Sequence, residues 1–565
     1  MRAIVAIVFA TLALIRPLHA EARGPSPDEL RVLADFSAAV AAPQLARLGG
    51  DDATRLTHLA QARRRVLARL VRDDPRSALA HAIPRGRRAA IAPAVDGLLE
   101  EEISAEGTYS VIATNTGEPG RRSVRRTAVI GGRTYEVSTF ERGLAQGSSE
   151  RRSLHGIAID GVLALSPDRL RHLRPDETPS PDKRLAEPAC PVSGKLAGAN
   201  QESADGDDDI LVESGDTVYP LCSALHAEDL EARLADQEGG AAPSGNAPPQ
   251  ASAWSIGTKT LLYIIARFPE EVGSNGQPVW PATISQAQSA TLTCSNLLSA
   301  SSYGLTRLEP TFVQVTMPNP KSYYQSRADG YVLGEARTAA TGLGYNAFAY
   351  DLDVVLYSGI WGFQGQAYVG ARGCWLQNTS PGVMLHELGH NLGLWHANAW
   401  ISPSVIGAGT NQEYGDHHSG MSGQLGNQFN AYERWTMGWL AEGNVRTVAA
   451  SGTHRLIGCD VRPPAAGELF ALRVTKDRER DYWISHRDSL NNAWARSGVL
   501  LHWDAWSISG IGHSNGGGNL LDTTPSSTNG RKDAALIYGR TFSDTFAGIH
   551  ITPLPTGIGG NGSPT

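Results

Sequence analysis

The chain has 565 residues, 41% hydrophobic and 19% charged. That is room for three or four domains at roughly 150 residues each, and it excludes a fibre or a wholly disordered polypeptide. A net charge of −7 and a pI near 6.2 leave no basic footprint for nucleic acid.

The chain opens with Met1-Arg2 and an apolar run from Ala3 to Ile15 broken only by Thr11, followed by Pro17 and the small residues Ala20 and Ala22. This is the form of a cleavable export signal over 1–20, and the run falls short of the roughly 20 residues that a spanning helix needs. No later segment is long and apolar enough to cross a membrane, so the sequence predicts no stable membrane insertion and a secreted chain, extracellular or periplasmic in transit. Residues 21–235 follow. Leu30, Leu33 and Val40, then Leu56, Leu59, Val66 and Leu70, repeat at helical spacing between Pro27 and Arg72. Short alternating strands separated by glycine turns come next: Tyr109 to Ile112, Thr134 to Val137, and Ile157 to Leu165. They predict a small β domain over about 105–165, a barrel or a sandwich. Pro175 to Pro188 is proline-rich and polar, and Asp205 to Asp209 reads as a solvated acidic loop because it lacks the spaced ligands of a calcium-binding loop.

Residues 236–253 form a Gly/Pro/Ala/Ser linker, and composition changes across it. All 12 tryptophans, and 33 of 39 aromatics, lie at or beyond Trp254, so the two sides of the linker are expected to do different work. Leu261 to Ile265 reads as a buried strand, Thr311 to Thr316 and Asp353 to Tyr357 as strands, and Gly334 to Thr341 as a helix. Beyond about Leu440 short strands and Gly-rich turns predict a β-rich domain over 441–565. Five cysteines (190, 222, 294, 374, 459) are too few and too irregular to be the main source of stability.

The chemistry is concentrated at 386–396, HELGHNLGLWH. On a helix His386 and His390 project from one face and can hold one zinc ion. Glu387, beside the first ligand, is placed to take a proton from a zinc-bound water. Gly393 permits the helix to stop and the chain to return His396 to the same metal. Three histidines leave the fourth position open, the catalytic arrangement for Zn2+. His417 and His418 sit where they could approach the cleft and read as a surface loop, with substrate contact as the alternative; His502 and His513 read as ordinary polar residues.

The extended HExxHxxGxxH pattern resembles that of the metzincin metallopeptidases. Those carry a methionine turn beneath the metal, and Met421 in YGDHHSGMSG, 25 residues after His396, is its match, with Met437 read as core. Gly423 stands where some metzincins place a tyrosine ligand, so no such ligand is predicted there. HELGHNLGLWHANAW, YGDHHSGMSG, QFNAYERWTMGWL, YGLTRLEPTF and LLDTTP…GRTFSD together resemble the gametolysin-type metallopeptidases over roughly Trp254 to the end. The resemblance implies an α+β chain: a metzincin-like zinc peptidase domain over 254–440 with a β-rich C-terminal domain, preceded by a helical and β pro-region. It implies an exported zinc endopeptidase, made as a zymogen, acting on protein or glycoprotein. Cys190 is a candidate latency switch whose thiolate occupies the open metal position; a Cys190–Cys222 disulfide and a plain buried thiol stand beside that reading. Two other readings remain open: a zinc hydrolase of non-peptide cell-wall amides, and a secreted surface-binding protein with a vestigial zinc site.

Overall fold

The computed structural model describes residues 24–41, 51–83, 97–116 with Ile91 and Val95, 124–140, 147–166, short stretches between 170 and 234, and 254–555 apart from 328, 477–479 and 506–517. The expected export signal, the 236–253 linker, the 205–209 acidic loop, Cys222 and His513 lie outside the described residues.

The N-terminal helices α1 (Pro27–Ala41), α2 (Asp51–Asp73) and α3 (Pro75–Ala80) realise the predicted periodicity. Leu33 and Phe36 of α1, and Leu56, Ala60, Leu67 and Leu70 of α2, are buried while Asp35, Arg55, His58 and Arg65 face water, and Leu30 of the expected stripe is 44% exposed. Arg63 and Glu100 are both buried and joined by two bonds of 2.5 and 3.0 Å, which satisfies charges that would otherwise be costly inside. The small β domain is a closed ring of β1 (Glu101–Thr116), β2 (Val124–Ile130), β3 (Arg133–Ser138), β5 (Val162–Leu165) and β4 (Ser149–Ile159), with β4 returning to β1. A separate small sheet holds β6 (Arg171–His172), β7 (Arg184–Leu185), β8 (Ile210–Ser214) and β9 (Thr217–Leu221).

After Trp254 the chain builds β10 (Gly257–Arg267), helix α4 (Ile284–Ser301), β11 (Thr306–Thr316), helix α5 (Gly330–Gly342), β12 (Leu352–Leu356), β13 (Phe363–Tyr368) and β14 (Cys374–Leu376). The sheet order is β11-β10-β12-β14-β13, parallel except for β13. Strand β10 is covered on both faces, which explains its unbroken apolar run. Leu261, Tyr263 and Ile265 pack on one side with Cys294 and Leu298 of α4 and with helix α6 (Pro381–Leu392); Leu262, Ile264 and Ala266 pack on the other with Val332, Leu333 and Ala336 of α5.

The ring and this sheet are continuous. Strand β1 pairs antiparallel with β13, Ile112 opposite Tyr368 and Thr114 opposite Gln366, so ten strands form one hydrogen-bonded sheet. Val369 and Trp395 join the apolar core of the ring, with the Arg126 guanidinium over the Trp395 indole at 5.2 Å. The N-terminal region therefore packs directly on the part of the chain that carries the histidine motif.

The β-rich C-terminal part also crosses its expected boundary at 440. Its sheet, in the order β16-β15-β21-β20-β19-β18-β17, takes β15 (Asn398–Ile401) and β16 (Thr410–Gln412) from the segment just after His396. They join β17 (Val445–Thr447), β18 (Ala471–Thr475), β19 (Arg480–Ser485), β20 (Gly498–Ala505) and β21 (Gly518–Leu521). Asn398, Ala399 and Trp400 lie parallel to Asn519, Leu520 and Leu521. Trp400 enters a core with Tyr482, Leu501 and Trp503. The whole chain is thus α+β, with a β-rich end.

Candidate metal centre

Helix α6 is set by local chemistry at both ends. Ser380 caps it by accepting from the Val383 amide, Pro381 occupies the first turn, where its missing N–H costs nothing, and Gly393 closes it at φ +114°. A residue with a side chain resists that left-handed geometry. The helix is almost wholly buried from Gly382 to Leu392. Two glycines make that burial feasible. A Cβ at Gly389 would lie 2.5 Å from Met421 Sδ, and a Cβ at Gly365 of β13 would lie 2.7 Å from Glu387 Oε1. Asn391 fixes the other side of the helix, its amide nitrogen lying 2.7–3.0 Å from the carbonyls of Tyr368, Ala371 and Gly373.

His386, His390 and His396 converge, all fully buried, with their ligand atoms within 4.8 Å of one another. Each ring is held by its Nδ1. His386 Nδ1 donates to the Gly420 carbonyl at 3.0 Å, His390 Nδ1 to the Leu394 carbonyl at 2.8 Å, and His396 Nδ1 to Glu413 Oε1 at 2.6 Å. Carbonyls and carboxylates only accept, so Nδ1 carries the proton in all three rings and each Nε2 presents a lone pair. His390 Nε2 and His396 Nε2 then face each other at 3.0 Å, and His386 Nε2 has no partner. Buried lone pairs directed at one another are unfavourable unless a cation lies between them. Three imidazoles, each oriented by an outer hydrogen bond, are the donor set that suits zinc.

The electrostatics agree. Burial, aided by the neighbouring His396, pulls His386 down to about 3, and burial pulls His390 well below its ordinary value, so both stay neutral and able to donate a lone pair. Glu387 is buried with neither carboxylate oxygen bonded, and burial pushes its carboxyl well above the usual range. A cation beside it offsets that cost. The residues present therefore fit a metal ion on three independent observations: the orphaned Nε2 atoms, the locked tautomers and the unpartnered Glu387.

Met421 is fully buried beneath Gly389, and its carbonyl accepts from the Ala397 amide at 2.8 Å. Its loop also supplies the Gly420 carbonyl that orients His386. Met437 belongs to the same apolar cluster, with its Cε 3.7 Å from where a Cβ on Gly393 would lie.

Cys190 is not part of the histidine group. It is buried in the small core under β8 and β9 with Leu170, Val212 and Leu221, its Sγ 3.4 Å from His226 Nδ1. The thiolate latch expected for it is not made in this state, because the residue is spent on packing a separate sheet. The surface-loop reading of His418 also fails. It is 1% exposed beside Asp416, which accepts from His502 Nε2 at 3.0 Å and from the His418 amide at 2.7 Å. His502 is thus bonded to a buried carboxyl in a contact that ties β20 to the methionine loop.

Two residues that sequence reasoning missed complete the site. Glu413 is the outer partner of His396. Tyr414, at φ +60°, lays its ring against His396 with centroids 3.9 Å apart and sends its hydroxyl to the Thr114 carbonyl at 2.6 Å. Neither lies at a spacing that marks it, since both are placed by the turn after β16, pinned where the Tyr414 amide donates to Asn398 Oδ1.

No protein-family model matches this chain, and no curated protein does either. The reading of the site rests on its own geometry.

Proposed function

We propose that the chain is a zinc-dependent endopeptidase of the metzincin type, resembling the gametolysin-type enzymes, exported and made in a latent form. The observation that carries this is the convergence of three Nε2 lone pairs, each with its Nδ1 proton already bound, with an unpartnered buried carboxylate on the residue next to His386. Pure metal storage has no use for Glu387. His386, His390 and His396 would hold the ion. Bound zinc supplies Lewis-acid polarisation of a carbonyl and lowers the pKa of water toward neutrality.

In hydrolysis the water oxygen bonds to the carbonyl carbon, the C–N bond breaks, and one water proton moves to the leaving nitrogen. Glu387, whose two carboxylate oxygens have no other partner, is the group that takes and returns that proton. Met421 packs beneath Gly389 and has no chemical step. A polypeptide substrate is favoured over a non-peptide amide because the site already has an extended peptide, β1, alongside it on β13. That same strand is the source of latency: residues 112–116 take the edge of β13 that an incoming chain would need. The leader-like N-terminus supports export, and no helix among the described residues is long and apolar enough to cross a membrane.

The test is digestion of casein or gelatin by purified zinc-loaded protein, before and after nicking within 236–253, with Glu387→Ala as control. Cleavage appearing or rising on nicking, inhibited by chelator and absent in Glu387→Ala, is expected. Stoichiometric zinc with no peptide cleavage in any form overturns the reading.

A further inference from the structure

Strand β1 leaves its pairing with β2 at Ala113, opposite Val124, and continues along β13 through Asn115, opposite Gly365. Thr114 therefore lies at the junction, bordered by β13 on one side and the histidine site on the other. Its hydroxyl reaches Gln366 Oε1 at 3.2 Å, and its backbone carbonyl accepts the Tyr414 hydroxyl at 2.6 Å. The Tyr414 ring lies 3.9 Å from the His396 ring and 5.9 Å from that of His386. In effect the molecule carries a bound peptide: an extended chain along β13, one carbonyl of which is gripped by a half-buried phenol packed on the three imidazoles.

From this arrangement the geometry points to Tyr414 as a catalytic residue that donates a hydrogen bond to the carbonyl oxygen of the scissile peptide, with Thr114 occupying that donor in the intact chain. The inference rests on the peptidase reading and extends it: the Tyr414 hydroxyl is a side-chain donor beside the three rings that is directed at a carbonyl of the extended strand β1. Tyr414 keeps its proton throughout: as negative charge develops on the carbonyl oxygen the same bond strengthens, which is how a fixed donor favours the transition state over the bound substrate. The left-handed backbone at Tyr414 and the bond from its amide to Asn398 Oδ1 hold the ring in place, so little reorganisation is needed when one carbonyl replaces another. The substrate class follows: a polypeptide segment able to lie extended against β13, not a folded loop or a small amide.

Tyr414→Phe in the full chain keeps the ring on His396 and removes only the donor. Three readouts are taken together. Amide hydrogen exchange over residues 111–116 is expected to quicken roughly threefold to tenfold, the effect of losing one net hydrogen bond. Zinc stoichiometry is expected to equal that of the native chain. After nicking within 236–253, kcat on an extended peptide is expected to fall about 10²- to 10³-fold with KM little changed, the size seen when one oxyanion donor is removed. Native kcat in Tyr414→Phe overturns the role of Tyr414 while leaving the peptidase reading intact. Loss of zinc from the variant overturns it too, by making the phenol a support of the metal rather than a donor to substrate. A native nicked chain that cleaves nothing overturns both readings. Glu387→Ala separates the two residues: it abolishes cleavage but leaves exchange over 111–116 as in the native chain.

Discussion

Glu413 gives the sharpest test of how the histidine cluster is held. Its Oε1 lies 2.6 Å from His396 Nδ1 and its side chain is 16% exposed, so the ring is oriented by a carboxylate largely shielded from water. Glutamine at this position keeps an acceptor oxygen and removes the charge. Alanine removes the acceptor, leaving a buried Nδ1–H that nothing replaces. A charge-assisted bond is about twice as strong as a neutral one. Outer partners of metal-binding histidines are worth about 10- to 100-fold in metal affinity. Glu413→Gln should therefore weaken zinc binding about 10-fold and Glu413→Ala about 100-fold, or about 1.4 and 2.7 kcal/mol. The larger figure agrees with the roughly 1–3 kcal/mol cost of an unsatisfied buried donor. Competition against a chromophoric zinc chelator at fixed pH measures both, with circular dichroism showing that each variant is folded. If Glu413→Ala binds zinc within twofold of the native chain, the carboxylate does not orient His396 and the argument from locked tautomers fails at that ligand.

Three further outcomes follow from the same packing. Gly389→Ala drives a methyl to 2.5 Å from Met421 Sδ and 3.3 Å from Phe429 Cζ, and should destabilise by about 1–3 kcal/mol; an unshifted urea midpoint would contradict that close approach. Gly365→Ala places its methyl 2.7 Å from Glu387 Oε1, so hydrolysis should drop about 100-fold through misplacement of the base, while zinc content measured by atomic absorption stays constant. Burial alone would raise Asp416, but the hydrogen bond and charge of His502 more than offset it and hold the carboxyl at about 2, against an ordinary 3.8. Because the folded value is the lower one, its stabilisation is complete above about pH 4 and is lost as pH falls toward 2, a change of about 2 kcal/mol. His502→Ala should flatten that acid limb in unfolding curves taken from pH 2 to 7 and cost about 3 kcal/mol at neutrality; an unaltered limb shows that the pair is not its source.

What was legible in the sequence was what short spacing determines. Gly393 marks the end of α6, and the i, i+4 interval puts His386 and His390 on one face, so the candidate metal site could be drawn before any fold was known. The periodicity of α2 and the alternation of β3 are equally local. Glu413 and Tyr414 were not legible because their positions depend on a loop pinned to Asn398 and on a left-handed residue that is not glycine. Pairing of β1 with β13 joins segments about 250 residues apart, and each strand alone reads the same whether it is an edge or a centre. Cys190 shows the opposite error. A cysteine in a latent protease invites a ligand role, yet a small four-stranded sheet with few apolar residues needed a buried side chain there.

The single residue Ala397 separates His396 from β15, and β15 is held on one side by β21, more than 100 residues later. The third imidazole is therefore anchored by a strand made long after it in synthesis. On the zinc-site reading, the ion would be gripped tightly only once the C-terminal sheet has closed, and clipping within β20 or β21 is expected to release it even though every ligand is untouched. Metal retention becomes a report on whether the far end of the chain is intact, and the two parts must be inherited, assembled and discarded as one.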